Sequence, residues 1–66
     1  MIYIDQNKII IKHYQELILF DEQKVEIKLL DKLVLIKGKG MNTLYLSKDE
    51  MHIKGSIEEI RLIDHD

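Results

Sequence analysis

Apolar and polar residues alternate along much of the chain. In 24–29, Val25, Ile27 and Leu29 fall on one face of an extended segment, and two lysines and a glutamate fall on the other. The same two-residue period recurs in 43–47 and 51–54. Short polar segments separate these stretches at intervals of about 8–12 residues, which is typical of short strands joined by hairpins. The pattern therefore predicts an all-β chain.

We expect strands near 1–5, 8–12, 16–21, 24–30, 33–38, 43–46, 51–54 and 56–63. Composition supports this assignment, because the chain has twelve isoleucines and no alanine, and β-branched side chains favour strands over helices. The predicted fold is a single domain, 1–66, containing a small antiparallel meander. It forms a sandwich or a flattened barrel of about seven or eight short strands.

Two segments leave their local structure open. In 56–63, isoleucines three residues apart suit a short helix, whereas a bulge at Glu58 and Glu59 suits a strand. We predict the bulged strand. The Gly-Lys-Gly of 38–40 lacks the remaining residues of a phosphate-binding loop, and its glycines are therefore assigned to a turn or a bulge. The chain shows no evident internal repeat, linker or low-complexity segment.

Three apolar runs, 9–11, 17–20 and 33–36, interrupt the alternation. A strand that is apolar on both faces must be covered on both faces, and a chain of 66 residues has little material for a second layer. We therefore expect a homodimer, with a tight monomeric sandwich or barrel that uses both faces internally as the alternative. The expected interface residues are Ile27, Leu33, Leu35 and Ile36.

Charge and reactive residues exclude several classes of protein. Formal net charge is −2 and cysteine is absent, so neither disulfides nor thiolate metal sites are expected. The apolar runs are too short for a spanning helix or a signal peptide, so we expect a small soluble domain, and the absence of cysteine permits a cytoplasmic location. His13, His52 and His65 lack metal-ligand spacing, and neither serine lies in a nucleophile elbow. We expect no catalytic residue, no metal and no cofactor.

The order of segments resembles the YabP/YqfC family of sporulation proteins from about Asn7 to Asp64. The resemblance rests on the Ile-Lys-Gly of 36–38 and its echo in 53–57, on the polar-aromatic junction and apolar strand of 13–22, and on Leu-Tyr-Leu-Ser at 44–47. The chain departs from the family pattern at Asp31-Lys32, where a glycine is common, and in 41–43 after the first glycines.

The resemblance implies a non-enzymatic structural or assembly factor of endospore formation, acting through self-association and protein contacts. The implied partners are a second copy and other sporulation proteins, with a membrane protein among the candidates. The implied location is the cytoplasm, a membrane periphery reached through a partner, or the developing spore.

The alternative function is nucleic-acid binding by a small Sm-like or OB-like barrel, since 35–38 is faintly similar to an Sm motif. The net charge of −2 argues against nucleic acid as a partner. The four Tyr and Phe residues are not expected to cluster on adjacent strands.

Overall fold

The computed structural model describes residues 2–64, which form six strands and no helix. The strands are β1 (Ile2–Asp5), β2 (Lys8–Lys12), β3 (Glu16–Phe20), β4 (Lys24–Lys28), β5 (Lys32–Leu46) and β6 (Glu50–Asp64). They make one antiparallel sheet in the order β1-β2-β6-β5-β4-β3. The prediction of an all-β antiparallel domain is confirmed. The sheet does not close, and it is compatible with a small sandwich or flattened barrel.

The structure has fewer strands than the sequence suggested because two predicted pairs are continuous. Segments 33–38 and 43–46 both belong to β5, and segments 51–54 and 56–63 both belong to β6. The polar and glycine-containing residues between them are bulges within a long hairpin. β5 and β6 pair with each other on both sides of these bulges, and each has a second neighbour along one half only, β4 for residues 33–37 and β2 for residues 50–54.

The bulges lie where the sequence placed its irregular residues. Lys37 is opposite Glu59 and Gly38 is opposite Ile57, so Glu58 is the extra residue on β6. This confirms the bulged strand over the short helix. A Cβ at Gly38 would overlap the backbone carbonyl oxygen of Ser56. The two bent strands can thus approach one another at this point only because residue 38 lacks a side chain.

In the described part of the chain, nine fully buried apolar side chains form the core, and they come from both sides of the bulges: Ile9, Ile11, Val25, Ile27, Val34, Ile36, Met41, Met51 and Ile53. The sheet therefore folds over on itself and buries its concave face. No polar side chain is buried among residues 2–64. Ile27 and Ile36 belong to this core, which corrects their expected place in an interface. Both point to the concave face because they alternate with charged or outward-facing neighbours along β4 and β5.

An internal pseudo-two-fold symmetry relates two parts of the sheet. The first unit comprises β1, β2 and residues 50–54 of β6, and the second comprises β3, β4 and residues 33–37 of β5. Their registers match position by position: Lys8–Lys54 corresponds to Lys24–Lys37, Ile9–Ile53 to Val25–Ile36, and Ile11–Met51 to Ile27–Val34. The pair Lys39–Ser56, at the centre of the hairpin, maps onto itself.

Hydrogen bonds between the hairpin turns and the long strands occur at symmetry-equivalent positions. Gly55 N donates to Asn7 O at 2.9 Å, and Gly38 N donates to Gln23 O at 3.0 Å. The sequence repeats accordingly, with identical residues 16 positions apart at Asp5/Asp21, Lys8/Lys24, Ile11/Ile27 and Lys12/Lys28. The expectation that the chain contains no repeat is therefore wrong.

Candidate interaction surfaces

The second half of β6 has a free edge. The β2 register ends at Lys54, and β5 occupies the other side of β6 throughout. Residues 56–64 therefore have a strand neighbour on one side only, and we name them the open β6 edge. The symmetry-related segment, 42–46 of β5, also pairs with β6 alone. Unpaired strand edges present backbone donors and acceptors to which another strand can add.

Large apolar side chains are exposed at both of these unpaired ends. Leu62 lies opposite the core residue Val34, and Leu46 lies opposite the core residue Met51. Their positions are equivalent under the pseudo-symmetry. Both face the core side of the sheet, yet Leu62 is 56% exposed and Leu46 is 54% exposed. Each side chain thus extends the apolar face beyond the area that one copy of the chain covers.

The convex face of the second unit carries the other two expected interface residues. Leu33 lies directly opposite Ile63, and Leu35 follows on the same face of β5. We name these three residues the outer leucine patch. Leu33 and Leu35 are half-buried and Ile63 is 37% exposed. Of the four residues predicted from the sequence, Leu33 and Leu35 alone lie on a surface where a partner could reach them.

The convex face of the first unit carries a row that the sequence analysis missed. Tyr3, Ile10, His52 and Tyr45 lie opposite one another across four adjacent strands, and we name them the tyrosine row. About half of each tyrosine is exposed. The Tyr45 and His52 rings are 5.1 Å apart, and the Lys12 ammonium lies 5.7 Å from the centre of the Tyr3 ring. The two tyrosines share one face but lie on β1 and β5, which β2 and β6 separate, so the expectation that the Tyr and Phe residues would not cluster on adjacent strands holds for this face.

A hydrogen bond orients the imidazole in this row. His52 Nε2 lies 2.6 Å from Glu50 Oε2 on the same face of β6. That hydrogen bond holds the pKa of the Glu50 carboxyl below its ordinary value, and the positive charge of Lys12 acts in the same direction. The carboxylate in turn fixes the imidazole against Tyr45, so the middle of the row has a defined geometry.

A second short contact fixes the far end of the open β6 edge. Lys32 Nζ donates to Asp64 Oδ1 at 2.6 Å across the first β5–β6 pair. The hydrogen bond and the opposite charges lower the pKa of Asp64 and raise the pKa of Lys32. The last residue of β6 is therefore tied to β5, while its outward side stays available.

Residues 2–64 contain no group of three or more metal-ligating side chains in one place. His13 lies in the loop between β2 and β3 and His52 lies on β6, and the remaining histidine, His65, lies outside the described residues. Adjacent carboxylates such as Glu58 and Glu59 form no enclosed pair, because both are exposed. Within this part of the chain, the arrangement supplies surfaces for contact.

Comparison of the chain with protein-family models, with curated proteins and with solved structures gives no match. Between residues 2 and 64 there is no helix of the length and apolarity that crossing a bilayer requires.

Proposed function

We propose that the protein is a non-enzymatic assembly module that works by self-association, with a second copy bound along the open β6 edge. The observation that carries this proposal is the exposure of Leu62 on the core side of an unpaired strand. Because Leu62 is 56% exposed, covering the rest of its side chain gains about 1–1.5 kcal/mol, half of what full burial of a leucine provides. Strand addition would bury it and satisfy the free backbone groups at the same time.

The charges of the edge suit an antiparallel pair about a two-fold axis. If Ile60 lies opposite Ile60 of the second copy, Glu59 faces Arg61 of the second copy on the convex side, twice per dimer. Within one copy, Arg61 Nε and Glu59 Oε2 are 3.8 Å apart, and both side chains are about half exposed. Opposite charges across strands stabilise a pair of strands, and like charges oppose it. The outer leucine patch adjoins the same edge through Ile63.

Oligomeric state tests the placement directly. Sedimentation equilibrium should give a concentration-dependent dimer for the wild type and a monomer for Leu62→Lys. The matched control is Leu30→Lys, because Leu30 is 78% exposed but lies in the loop between β4 and β5. A wild type that stays monomeric to millimolar concentration, or a Leu62→Lys variant that still dimerises, would contradict the proposal.

Unfolding must be separated from dissociation. Urea midpoints measured at low concentration, where the wild type is monomeric, should be similar for the wild type, Leu62→Lys and Leu30→Lys. Ile27→Lys is the contrasting variant, because Ile27 is fully buried in the core and a charge there should unfold the monomer. Leu35→Glu should weaken the dimer without unfolding the monomer.

We further propose that this assembly serves endospore formation, together with other sporulation proteins and near a membrane reached through one of them. The support is the family resemblance of 7–64 together with an association surface. Counting heat-resistant spores in a deletion strain tests it, with complementation by wild type, Leu62→Lys and Leu30→Lys. Rescue by wild type and Leu30→Lys alone supports the role, and unchanged spore counts in the deletion strain refute it.

The tyrosine row favours single-stranded nucleic acid as a second candidate ligand. Exposed aromatic rings on a sheet are stacking platforms for bases, each worth about 1–3 kcal/mol. Fluorescence anisotropy with a labelled oligonucleotide tests this candidate at physiological salt. Binding that is lost in Tyr45→Ala and kept in Leu30→Ala would support it, and no binding by the wild type would remove it.

A further inference from the structure

Two shallow recesses occupy equivalent positions under the pseudo-two-fold symmetry. The first is lined by Gln23, Lys24, Lys37, Gly38, Lys39 and Glu58. The second is lined by Asp5, Gln6, Asn7, Lys8, Leu44 and Lys54. Each recess combines the tip of a hairpin with two lysines that lie directly opposite one another on neighbouring strands. The pseudo-symmetry therefore produces the same lysine pair beside a hairpin tip at two places on the molecule.

Each lysine pair opposes folding. Like charges directly across a pair of strands repel, and such positions usually carry opposite charges or neutral groups. The next outward-facing lysines of the same strands follow that rule, since Lys12 lies opposite Glu50 and Lys28 lies opposite Leu33. The unfavourable pair is thus confined, within the two registers, to the positions that line the recesses. Binding of an anion between the two ammonium groups would remove the repulsion.

The backbone around each recess is fixed. The carbonyl oxygens of Gln23 and Asn7 accept hydrogen bonds from Gly38 N and Gly55 N, so each hairpin tip is held against a bend. The amide side chains of Gln23 and Asn7 line the recesses and can donate to an oxyanion.

Acidic side chains near the recesses are fewer than the lysines. The first recess contains Glu58, whose Oε2 lies 3.8 Å from Lys39 Nζ, and Glu26 lies 3.6 Å from Lys24 Nζ outside the lining. The second recess contains Asp5. Lysines outnumber carboxylates in both linings, on a chain whose net charge is −2.

We propose that the two recesses are phosphate-binding sites, each taking one phosphate group between its lysine pair and the hairpin-tip amide. Lysine ammonium groups bind phosphate as point charges through charge-assisted hydrogen bonds. The ligand class is therefore a phosphate ion or a phosphate ester. The proposal is independent of the dimer along the open β6 edge.

Titration of the protein with inorganic phosphate at constant ionic strength, followed by backbone and lysine side-chain NMR, tests the proposal. Two sets of shifts are expected, one around Gln23 and Gly38 and the other around Asn7 and Gly55. The double variant Lys24→Gln with Lys37→Gln should lose the first set and keep the second. The double variant Lys8→Gln with Lys54→Gln should do the reverse. Lys28→Gln is the control and should keep both.

Charge-preserving variants and thermal melts separate a site from a solubilising surface. Replacing both lysines of a pair by arginine should retain the shifts, and phosphate should raise the melting temperature of the wild type more than chloride does at equal ionic strength. Shifts that chloride reproduces, that survive in both double variants, or that occur at one recess alone would overturn the proposal. The proposal would also be overturned if the lysine-to-glutamine double variants melt at a higher temperature than the wild type while phosphate does not change the melting temperature of the wild type.

Discussion

Replacing Gly38 with alanine should be among the most damaging small changes in the chain. The added Cβ would overlap Ser56 O, and it would lie 3.2 Å from Ser56 C and 3.3 Å from the Cα of Ile57. All three are backbone atoms of the partner strand, so no side chain can rotate away to make room. The β5–β6 hairpin would have to separate at its bend. Overpacking of this kind costs about 1–3 kcal/mol, and occasionally more, and we expect about 3 kcal/mol here because no relaxation is available.

Gly40 provides the matched comparison two residues away. A Cβ at Gly40 would meet no atom within 4 Å, but the residue has φ of +60°. Gly40→Ala should therefore cost the left-handed backbone conformation alone, about 1–2 kcal/mol. Gly55 is the symmetry mate of Gly38, and its Cβ would lie 2.8 Å from Met41 Cα and 2.9 Å from Met41 Cγ. Because Met41 Cα is a backbone atom and Gly55 also has φ of +157°, Gly55→Ala combines a backbone overlap with an unfavourable φ and should cost at least as much as Gly38→Ala.

Urea denaturation followed by far-ultraviolet circular dichroism measures these differences. A domain of this size has a folding free energy of about 3–10 kcal/mol, so Gly38→Ala should lose a large part of it while Gly40→Ala stays folded. The slopes of the transitions should agree, so that midpoints report stability. A Gly38→Ala midpoint equal to or above that of Gly40→Ala would refute the argument from close backbone approach.

Three further predictions concern single side chains. Ile53→Ala, at a fully buried site, should lower the free energy of unfolding by about 3 kcal/mol, whereas Leu30→Ala should change it by less than about 0.5 kcal/mol; equal effects in urea melts would contradict the assigned core. The pKa of Glu50 is lowered by its hydrogen bond with His52, so this carboxylate adds stability above its unfolded pKa, which is lost as pH falls through the folded pKa. Urea midpoints of Glu50→Gln should therefore fall less steeply with acid than those of the wild type, and parallel curves would argue against it. His13 has φ of 62°, so His13→Gly should raise stability by about 1 kcal/mol, and a loss of stability would show that its side chain contributes more than the strain costs.

Most strands could be predicted because each carries its own period-two pattern. Residues 24–28 read as a strand without any knowledge of their neighbours, and the bulge at Glu58 followed from the spacing of the isoleucines. The continuity of β5 and β6 could not be predicted in the same way. Glycines at 38, 40 and 55 indicate a break in the local pattern. Whether such a break is a turn or a bulge within one strand depends on which strand pairs with it, and the local sequence does not contain that information.

The surfaces were less predictable than the strands. An apolar run such as 33–36 places apolar side chains on both faces of a strand, but it does not say which face meets the core. In the structure, Ile36 lies in the core and Leu35 lies on the convex face. The tyrosine row depends on pairing between β2 and β6, which are far apart in the chain. A signal for the symmetry was nevertheless present, since Lys8 and Lys24 stand at equivalent positions of a repeated Asp-x-x-Lys pattern.

The pseudo-symmetry explains why, within the described residues, β5 and β6 each have one end that pairs on one side only. Each unit consists of a short hairpin and one half of a long strand. The other half of that long strand extends beyond the short hairpin and has no second neighbour. β6 extends beyond β2 after Lys54, and β5 extends beyond β4 after Lys37. The apolar residues at those ends, Leu62 and Leu46, are then exposed by the architecture itself. A fold of two such units completes its own core and still leaves two equivalent apolar strand ends, and a two-fold pair of identical copies needs only one such patch, because it uses the same patch on both copies.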